Sequence, residues 1–430
     1  MNIAQLIEKG TQKTQGVEVS LYQGESSQVT FENSKLKSVK TSQETEINTR
    51  VIVDDKVGNS HATGIENAAD VMERAFAVAE FGSTAHFNFP APQPSTPVKM
   101  YDEAVAAMTP AEMVEAGQAI VDQIIAYNPD ILTEVQHFKS VGKREFANSS
   151  GVFFREEGTS YGMYASGQLI RGTEILMVGE WQGQRNRSID PLAIAGSIIE
   201  RFRLAERSAT ITTGETPVIF TPQAVSVLLL SLMLALDGKN AFLGESPLKE
   251  KVGESIATQN FTLVDNPLLD FANASSSYDD EGVPHQVTAL VNKGVLRNFL
   301  YDLDTAGRAG TRSTGNGPGC RPTNWVIQPG ETAYADMLRN TRSGLLIQDV
   351  MGLGQGNPIN GDFSVNVQLG YKIENGEITG RVKDVMLAGN VFDAIKNITA
   401  ISREQKWVDL FTGPGYLPHI QVGQLSVVAK

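Results

Sequence analysis

The side chains able to do chemistry are few, and their spacing is informative. The five histidines, His61, His86, His137, His285 and His419, are scattered, and no two lie within five residues of each other. A helical zinc site needs two imidazoles about one turn apart, so that both face the ion. That pattern is absent, and a zinc-centred hydrolytic mechanism within this chain is not expected. Cys320 is the single cysteine and sits in a Gly-Pro-Gly-Cys-Arg-Pro loop. With no histidine beside it in sequence, it reads as an incidental loop thiol rather than a nucleophile. No serine lies in a nucleophile-elbow motif. The run Asp279-Asp280-Glu281 could supply acid/base chemistry or hold a hard cation. As a charge run before a hairpin, it reads first as a solvated acidic loop. The segment Gly352-Leu-Gly-Gln-Gly356 has neither the Lys-Ser/Thr ending of a phosphate loop nor a helix pattern after it. The residues from Asn357 to Gly361 are turn formers, so a structural turn or the wall of a peptide groove is expected.

Composition narrows the classes further. A chain of 430 residues exceeds one ordinary core and predicts two or three domains. A hydrophobic share of 41% against 20% charged residues is globular composition, not disorder. Thirty-six basic against 49 acidic residues leave a net charge of -13, which repels phosphate backbones and argues against direct nucleic-acid binding. One cysteine permits no intrachain disulfide, which fits a reducing compartment. The first residues, MNIAQLIEKGTQKTQG, contain no apolar run of signal-peptide length, so an export signal is not expected. The longest apolar stretch, Ala224 to Leu236 with Ser226 and Ser231 inside it, is too short to span a bilayer. A buried core helix is expected there, and no membrane partner.

The elements that must position these residues follow from periodicity. A short amphipathic helix is expected over Ile3 to Lys9. Val17, Val19 and Leu21 then alternate with polar residues, the period of a half-buried strand. Val29 to Phe31 and Ile47 to Val53 continue that pattern, and Asp54, Asp55 and Lys56 mark a hairpin turn. Ile65 to Phe81 predicts a helix with Ala68, Val71, Met72, Ala75, Phe76 and Ala79 on one face and a stop at Gly82. The proline-rich stretch from Asn88 to Pro97 reads as a surface crossing. Thr109, Pro110 and Glu112 form a cap, first position and capping box for a helix burying Met113, Ala116, Ile120 and Ile124. Strand material returns from Ile131 to Gly183. Asp190 and Pro191 then open a helix with Ile194, Ile198, Ile199 and Phe202 inward.

The second half differs. A short strand, Val218 to Phe220, leads through Thr221 and Pro222 into a helix that is apolar nearly all round, which implies burial on all sides. Strands and turns follow. Hairpins are expected at Asn292-Lys293-Gly294 and at Glu374-Asn375-Gly376, where an Asn-Gly pair suits a primed turn. Glycine is dense from Gly307 to Gly319 and from Gly352 to Gly361, as in loops that admit a second backbone. The reading is α+β: an N-terminal α/β domain over residues 1–214, then a β-rich C-terminal domain with a buried helix over residues 215–430.

Several blocks in the second half occur in a specific order. They are Tyr278-Asp-Asp-Glu-Gly-Val283, Val291-Asn-Lys-Gly-Val-Leu296, Leu300-Tyr-Asp-Leu-Asp-Thr-Ala306 and Ser313-Thr-Gly-Asn316. Gly344-Leu-Leu-Ile-Gln-Asp-Val-Met-Gly352, Asn360-Gly-Asp-Phe-Ser364, Ile373-Glu-Asn-Gly-Glu-Ile378 and Val385-Met-Leu-Ala-Gly-Asn390 complete the set. On these residues the chain resembles the TldD/PmbA family, also called modulators of DNA gyrase. The first half resembles the family's α/β domain through its opening strands and the helix after Gly64.

The resemblance implies a cytoplasmic two-domain protein that assembles as a dimer. The family has two kinds of subunit. The TldD kind carries a His-Glu-x-x-x-His motif on the first helix of the C-terminal domain and is a zinc peptidase. The PmbA kind, also called TldE, lacks that motif and acts as its partner. Here the corresponding helix reads Leu228-Leu-Leu-Ser-Leu-Met-Leu-Ala-Leu-Asp237, and the metal positions fall near Leu229 and Leu234. No register supplies an imidazole, so the resemblance is to the PmbA kind. It implies no cofactor in this chain, zinc in a TldD-like partner, and unfolded peptides as substrate. Asn316, Gly317, Asp362 and Ser364, in the loops of the second half, are the candidate peptide contacts, with no catalytic or metal residue assigned. Two other readings stand beside this one: a homodimeric peptide-binding protein, and a peptidase with an unrecognised site at Asp279 to Glu281.

Overall fold

Apolar alternation in the first fifty residues builds a hairpin far longer than the usual strand of 3–10 residues. The structure, a computed structural model, describes residues 2–64 and 68–429. Strands β1 (Gly16–Glu32) and β2 (Lys35–Val53) meet at a turn where Asn33 and Ser34 both take positive φ. β3 (Lys56–Thr63) returns after Asp54 and Asp55, also at positive φ, which is the hairpin expected there. The strand material after Ile131 resolves into β4 (Leu132–Asn148), β5 (Phe153–Arg171) and β6 (Glu174–Gln184). The six form one sheet in the order β3-β2-β1-β4-β5-β6, antiparallel throughout.

Helices cover one face of this sheet. α1 (Ile3–Thr11) and α2 (Ala68–Ala79) pack on Val17, Val19, Ile47 and Val51. The helix expected over Ile65 to Phe81 is described from Ala68; Ile65 lies outside the described residues. Gly82 follows it, and a Cβ there would sit 1.9 Å from the Val57 carbonyl oxygen, so only glycine lets the chain turn so close to β3. After the short α3 (Glu103–Ala106), α4 (Pro110–Tyr127) begins with the expected capping box: the Glu112 N–H donates to Thr109 Oγ1 and the Thr109 N–H to Glu112 Oε2. α5 (Pro191–Leu204) is capped by Asp190 and buries Ile194, Ile198, Ile199 and Phe202.

The second half is a larger sheet that closes on itself. Its strands are β7 (Gly214–Phe220), β8 (Leu263–Asp265), β9 (Thr288–Asn292), β10 (Val295–Leu296) and β11 (Trp325–Ile327). They continue with β12 (Ser343–Met351), β13 (Asp362–Glu374), β14 (Glu377–Arg381), β15 (Val385–Asn390), β16 (Ile398–Leu410) and β17 (Gly413–Ala429). β7 pairs with both β12 and β17, so β7, β12, β13, β15 and β17 close into a barrel. The two expected hairpins are β9–β10 and β13–β14, with Lys293, Gly294, Asn375 and Gly376 at positive φ. Closure leaves no free edge among these five strands, which removes a site for unwanted pairing. The fold is mixed α+β, as expected.

The apolar helix is α6 (Ser226–Ala235). It starts four residues later than Thr221-Pro222 suggested. The preceding turn makes short-range bonds, Val227 N–H to the Ala224 carbonyl and Leu228 N–H to the Val225 carbonyl, before the regular ladder begins. Val227, Leu228, Leu229 and Leu232 are all within the C-terminal core. α7 (Gly238–Leu243), α8 (Leu303–Ala309), α9 (Tyr334–Asn340) and α10 (Val391–Ala394) are short connectors. A second core joins the halves: α4 and α5 pack with Val29, Phe31 and Val135 of the sheet and with Leu346, Tyr371 and Ile373 of the barrel. Tyr371 Oη donates to the Arg201 carbonyl at 3.0 Å across that junction.

Leu229 is fully buried. Leu229→Ala leaves a cavity that a helix packed on all sides cannot collapse into, and should cost roughly 2–5 kcal/mol. A denaturant titration checks this; an unchanged midpoint would show that α6 is not packed as described.

Candidate functional site

Strand alternation decides what the first sheet presents on its other face. Val17, Val19 and Leu21 turn toward the helices, so Glu18, Ser20 and Tyr22 point away from them. Register then sets side chains of neighbouring strands in rows. Glu46, Tyr22, Arg144 and Glu156 form one; Gly24, Gly142 and Gly158 the next; Ser42, Ser26, Ser140 and Ser160 the one after. Loops around residues 274–285 and 316–323 of the second half close over this floor. The open cleft between them measures about 760 Å³, with Tyr22, Arg144, Glu156 and Arg185 on one side and His285 and Gly317 on the other. A neighbouring cavity of 540 Å³ shares Tyr22, Arg144, Asp280 and Pro318 and continues over Glu18 and Arg50. The two make one polar trough between the halves.

A buried charge cluster holds the roof on the floor. Arg50 of β2 bonds Glu18 Oε2 at 3.1 Å and Glu281 Oε1 at 2.6 Å. Its guanidinium also lies over the rings of Phe87 and Phe89, 5.1 and 5.3 Å from their centroids. Glu281 Oε2 accepts the Leu303 N–H at 2.7 Å, tying in α8. Asp279 Oδ1 accepts the N–H groups of Glu281 and Val283, and its Oδ2 accepts that of Gly317. Arg144 pairs with Asp280 at 2.7 Å and bonds the Asp279 carbonyl. Phe146, Phe154 and Tyr278 stack in sequence beside it.

These contacts correct the expectation of a solvated acidic loop at 279–281. Asp280 is exposed, but Asp279 and Glu281 are 3% and 2% exposed. Each of their oxygens is already bonded to a backbone donor or to Arg50, so the two carboxylates organise the loop. Burial pushes the Asp279 carboxyl up to about 7, and the Glu281 charge adds to that. Burial likewise pushes Glu18 up to about 7, outweighing the pull of Arg50, because two carboxylates share one guanidinium.

Of the four candidate peptide contacts, Asn316 and Gly317 lie in the wall of the large cavity. Asn316 is spent internally: its Nδ2 donates to Asp265 and to the Arg321 carbonyl, and its Oδ1 accepts from Thr314. Gly317 has no room for a side chain, since a Cβ would fall 2.1 Å from Glu281 Oε2. Asp362 and Ser364 lie elsewhere, on β13 beside β15, with the Asp362 carboxylate held by Asn390. Cys320 lies in a turn, as expected, with its side chain buried against the C-terminal core, and burial pushes its thiol up to about 12. A thiol so held is not a nucleophile at neutral pH. The glycines from 352 to 356 form a turn, with Gly352, Gly354 and Gly356 at positive φ. Sequence reasoning missed Glu18, Arg50, Arg144, Glu156 and Arg185. The signal for Glu18 was present, as the polar half of the alternation around Val17 and Val19; the others have no local mark.

A two-sheet scaffold with a closed barrel, a buried helix in its core cluster and a polar trough between the halves defines a recognisable class. Residues 213–429 match the PmbA/TldA metallopeptidase C-terminal domain, and residues 17–79 match PmbA/TldA metallopeptidase domain 1. The chain belongs to the PmbA/TldD family. An uncharacterized protein of Methanocaldococcus jannaschii is 29% identical over 408 residues, 92% of this chain and 94% of that protein. Metalloprotease PmbA of Escherichia coli O157:H7 is 30% identical over 202 residues, only 47% of this chain and 44% of that protein. In three dimensions, TldE from Thermococcus kodakarensis superposes with a TM-score of 0.93 at 24% identity, covering 99% of this chain and 100% of that one. At that identity the likeness establishes the fold.

The family's C-terminal domain is described as a metallopeptidase, so the fit of a metal to this chain is a question about its side chains. Leu229 is in the core and Leu234 is half-buried, and neither offers a lone pair. Among the described residues, no group of three or more His, Cys, Asp or Glu side chains is placed to hold an ion. The residues on α6 do not fit zinc.

The cluster at Glu18 makes stability depend on pH with a definite sign. Glu18 ionises near 4.5 when unfolded and near 7 when folded, so between those values the folded chain binds more protons. Its contribution is complete below pH 4.5 and is lost as pH rises through 7. His137, His285 and His419 are lowered to about 4 by burial and act oppositely, losing stability as pH falls below 6.5. Comparing Glu18→Gln with the parent chain cancels the histidines. Thermal melts at pH 5 and pH 7.5 should show a smaller loss of stability for Glu18→Gln, by on the order of 1–3 kcal/mol. Identical pH dependence in the two proteins would refute the assignment.

Proposed function

We propose that this chain is a PmbA/TldE-like, non-catalytic subunit that pairs with a TldD-like zinc subunit and takes part in the proteolysis of unfolded peptides in the cytoplasm. The observation that carries this reading is α6. The helix on which the resemblance places the zinc ligands is aliphatic, and Leu229 is part of the barrel's packing. Without a Lewis acid there is no activated water at this position, so hydrolysis by the complex is assigned to the partner. The chain supplies instead a packed barrel and a polar trough, which can position a substrate that another subunit cleaves. Among the described residues no helix is long and apolar enough to cross a membrane, which is consistent with the proposed compartment.

The test is recovery of the tagged chain from its native cells at low salt, with mass spectrometry and metal analysis of what accompanies it. A partner carrying His-Glu-x-x-x-His at one-to-one stoichiometry, with zinc in the complex, is the expected result. Recovery of the chain with only itself would replace this reading with a homodimeric binding protein.

A further inference from the structure

The trough contains polar groups that the fold itself leaves unused. Arg185, at the end of β6, has its Nε bonded to the Ala272 carbonyl at 3.1 Å, and its backbone N–H donates to the Phe271 carbonyl. Those bonds fix the side chain. Its terminal nitrogens face the cavity, and among the described residues no carboxylate lies within ion-pair distance of them. The space they occupy exists because Gly158 has no side chain: a Cβ there would sit 2.8 Å from Arg185 Nη1. Burial holds the Arg185 guanidinium below its ordinary value, against the opposing pull of the nearby Glu156 charge.

One acceptor faces the cavity: Glu156 takes the Ser277 N–H through Oε1 only. His285 also lines the space, but its unpartnered Nδ1 is sealed away from it and meets no ligand there. Arg321 is a second cation in the lining and, among the described residues, makes no ion pair. The groups open to a ligand are therefore the guanidinium groups of Arg185 and Arg321 and the carboxylate of Glu156, in a space whose 760 Å³ suits a small ligand.

We infer that this trough binds the carboxyl-terminal end of a peptide, with the terminal carboxylate on Arg185 and a backbone N–H on Glu156. A peptide end offers one negative charge followed by N–H donors. The lining carries Glu156, Glu157, Asp279 and Asp280 against Arg144, Arg185 and Arg321, so a single carboxylate is better balanced there than a doubly charged phosphate. The glycine and serine rows of the floor leave open space for a main chain lying across them. The inference rests on the proposed peptide-handling role only in naming a peptide as ligand. The two can fail separately, since this one is tested on the isolated full chain.

Tetra-alanine with free termini, its C-terminal amide, and a doubly blocked peptide with one internal glutamate are titrated calorimetrically into the chain. The free form is expected to bind saturably, with the amide weaker by roughly tenfold or more, because a charge-assisted contact is lost. Arg185→Gln should reduce the free form to the level of the amide. Equal binding of acid and amide, equally tight binding of the blocked glutamate peptide, or no saturable binding to the folded chain would overturn the proposal. Arg185 also supports the 271–272 loop, so Ser140→Phe, which fills the floor and leaves that link intact, is the second variant. It should abolish binding while the melting temperature stays within a few degrees, and undiminished binding would overturn the site. A zinc partner with no peptide binding sinks only this inference; peptide binding with no partner sinks only the subunit reading.

Discussion

One arginine carries the contact on which the roof of the trough depends. Arg50 belongs to the first sheet, but both its carboxylate partners are buried and one, Glu281, lies in the second half of the chain. The rings of Phe87 and Phe89, from the irregular crossing between α2 and α3, cover it. A buried ion cluster of this kind contributes little by comparison with a well-packed apolar core of the same size, because desolvation offsets its attraction. Losing one member is another matter, since it leaves a bare charge out of water at a cost of about 3–5 kcal/mol. The cluster therefore acts as a positional lock. Through Glu281 it sets α8, and through Asp279 it sets Gly317, so the roof of the trough is hung from a side chain in its floor.

The barrel shows the complementary strategy. The buried helix α6 contributes leucines to the same core as the barrel strands, and closure of β7 onto β17 leaves no free edge among those strands. Such a core tolerates no polar ligand set, because each imidazole or carboxylate would need a partner that the surrounding aliphatic side chains cannot give. The chain thus keeps the architecture of a family whose domains are described as metallopeptidase, with packing where the resemblance places metal ligands. Polar chemistry is displaced to the junction with the first sheet, where Arg144, Glu156, Arg185 and His285 gather.

Much of this was legible without coordinates. The alternation around Val17, the capping box at Thr109, the Asn-Gly hairpin at Asn375 and the all-apolar helix around Leu229 are local, because each depends on residues within a turn or a strand of one another. The absence of an imidazole pair on that helix is equally local. For these features the side-chain period or the backbone φ is settled by neighbours in sequence, and distant contacts only confirm it.

The trough is of the other kind. Glu18 and Glu281 are separated by most of the chain, and nothing in the Asp-Asp-Glu run reveals that two of its members are buried while the middle one is exposed. The same is true of Asn316, a turn residue by sequence whose amide is consumed by Asp265, and of Arg185, whose free nitrogens depend on a missing side chain at Gly158. The sequence by itself determined the elements, the apolar centre and the family. Only the tertiary structure decided which charges are desolvated and which donors are left over, because desolvation and hydrogen-bond satisfaction depend on neighbours brought together across hundreds of residues.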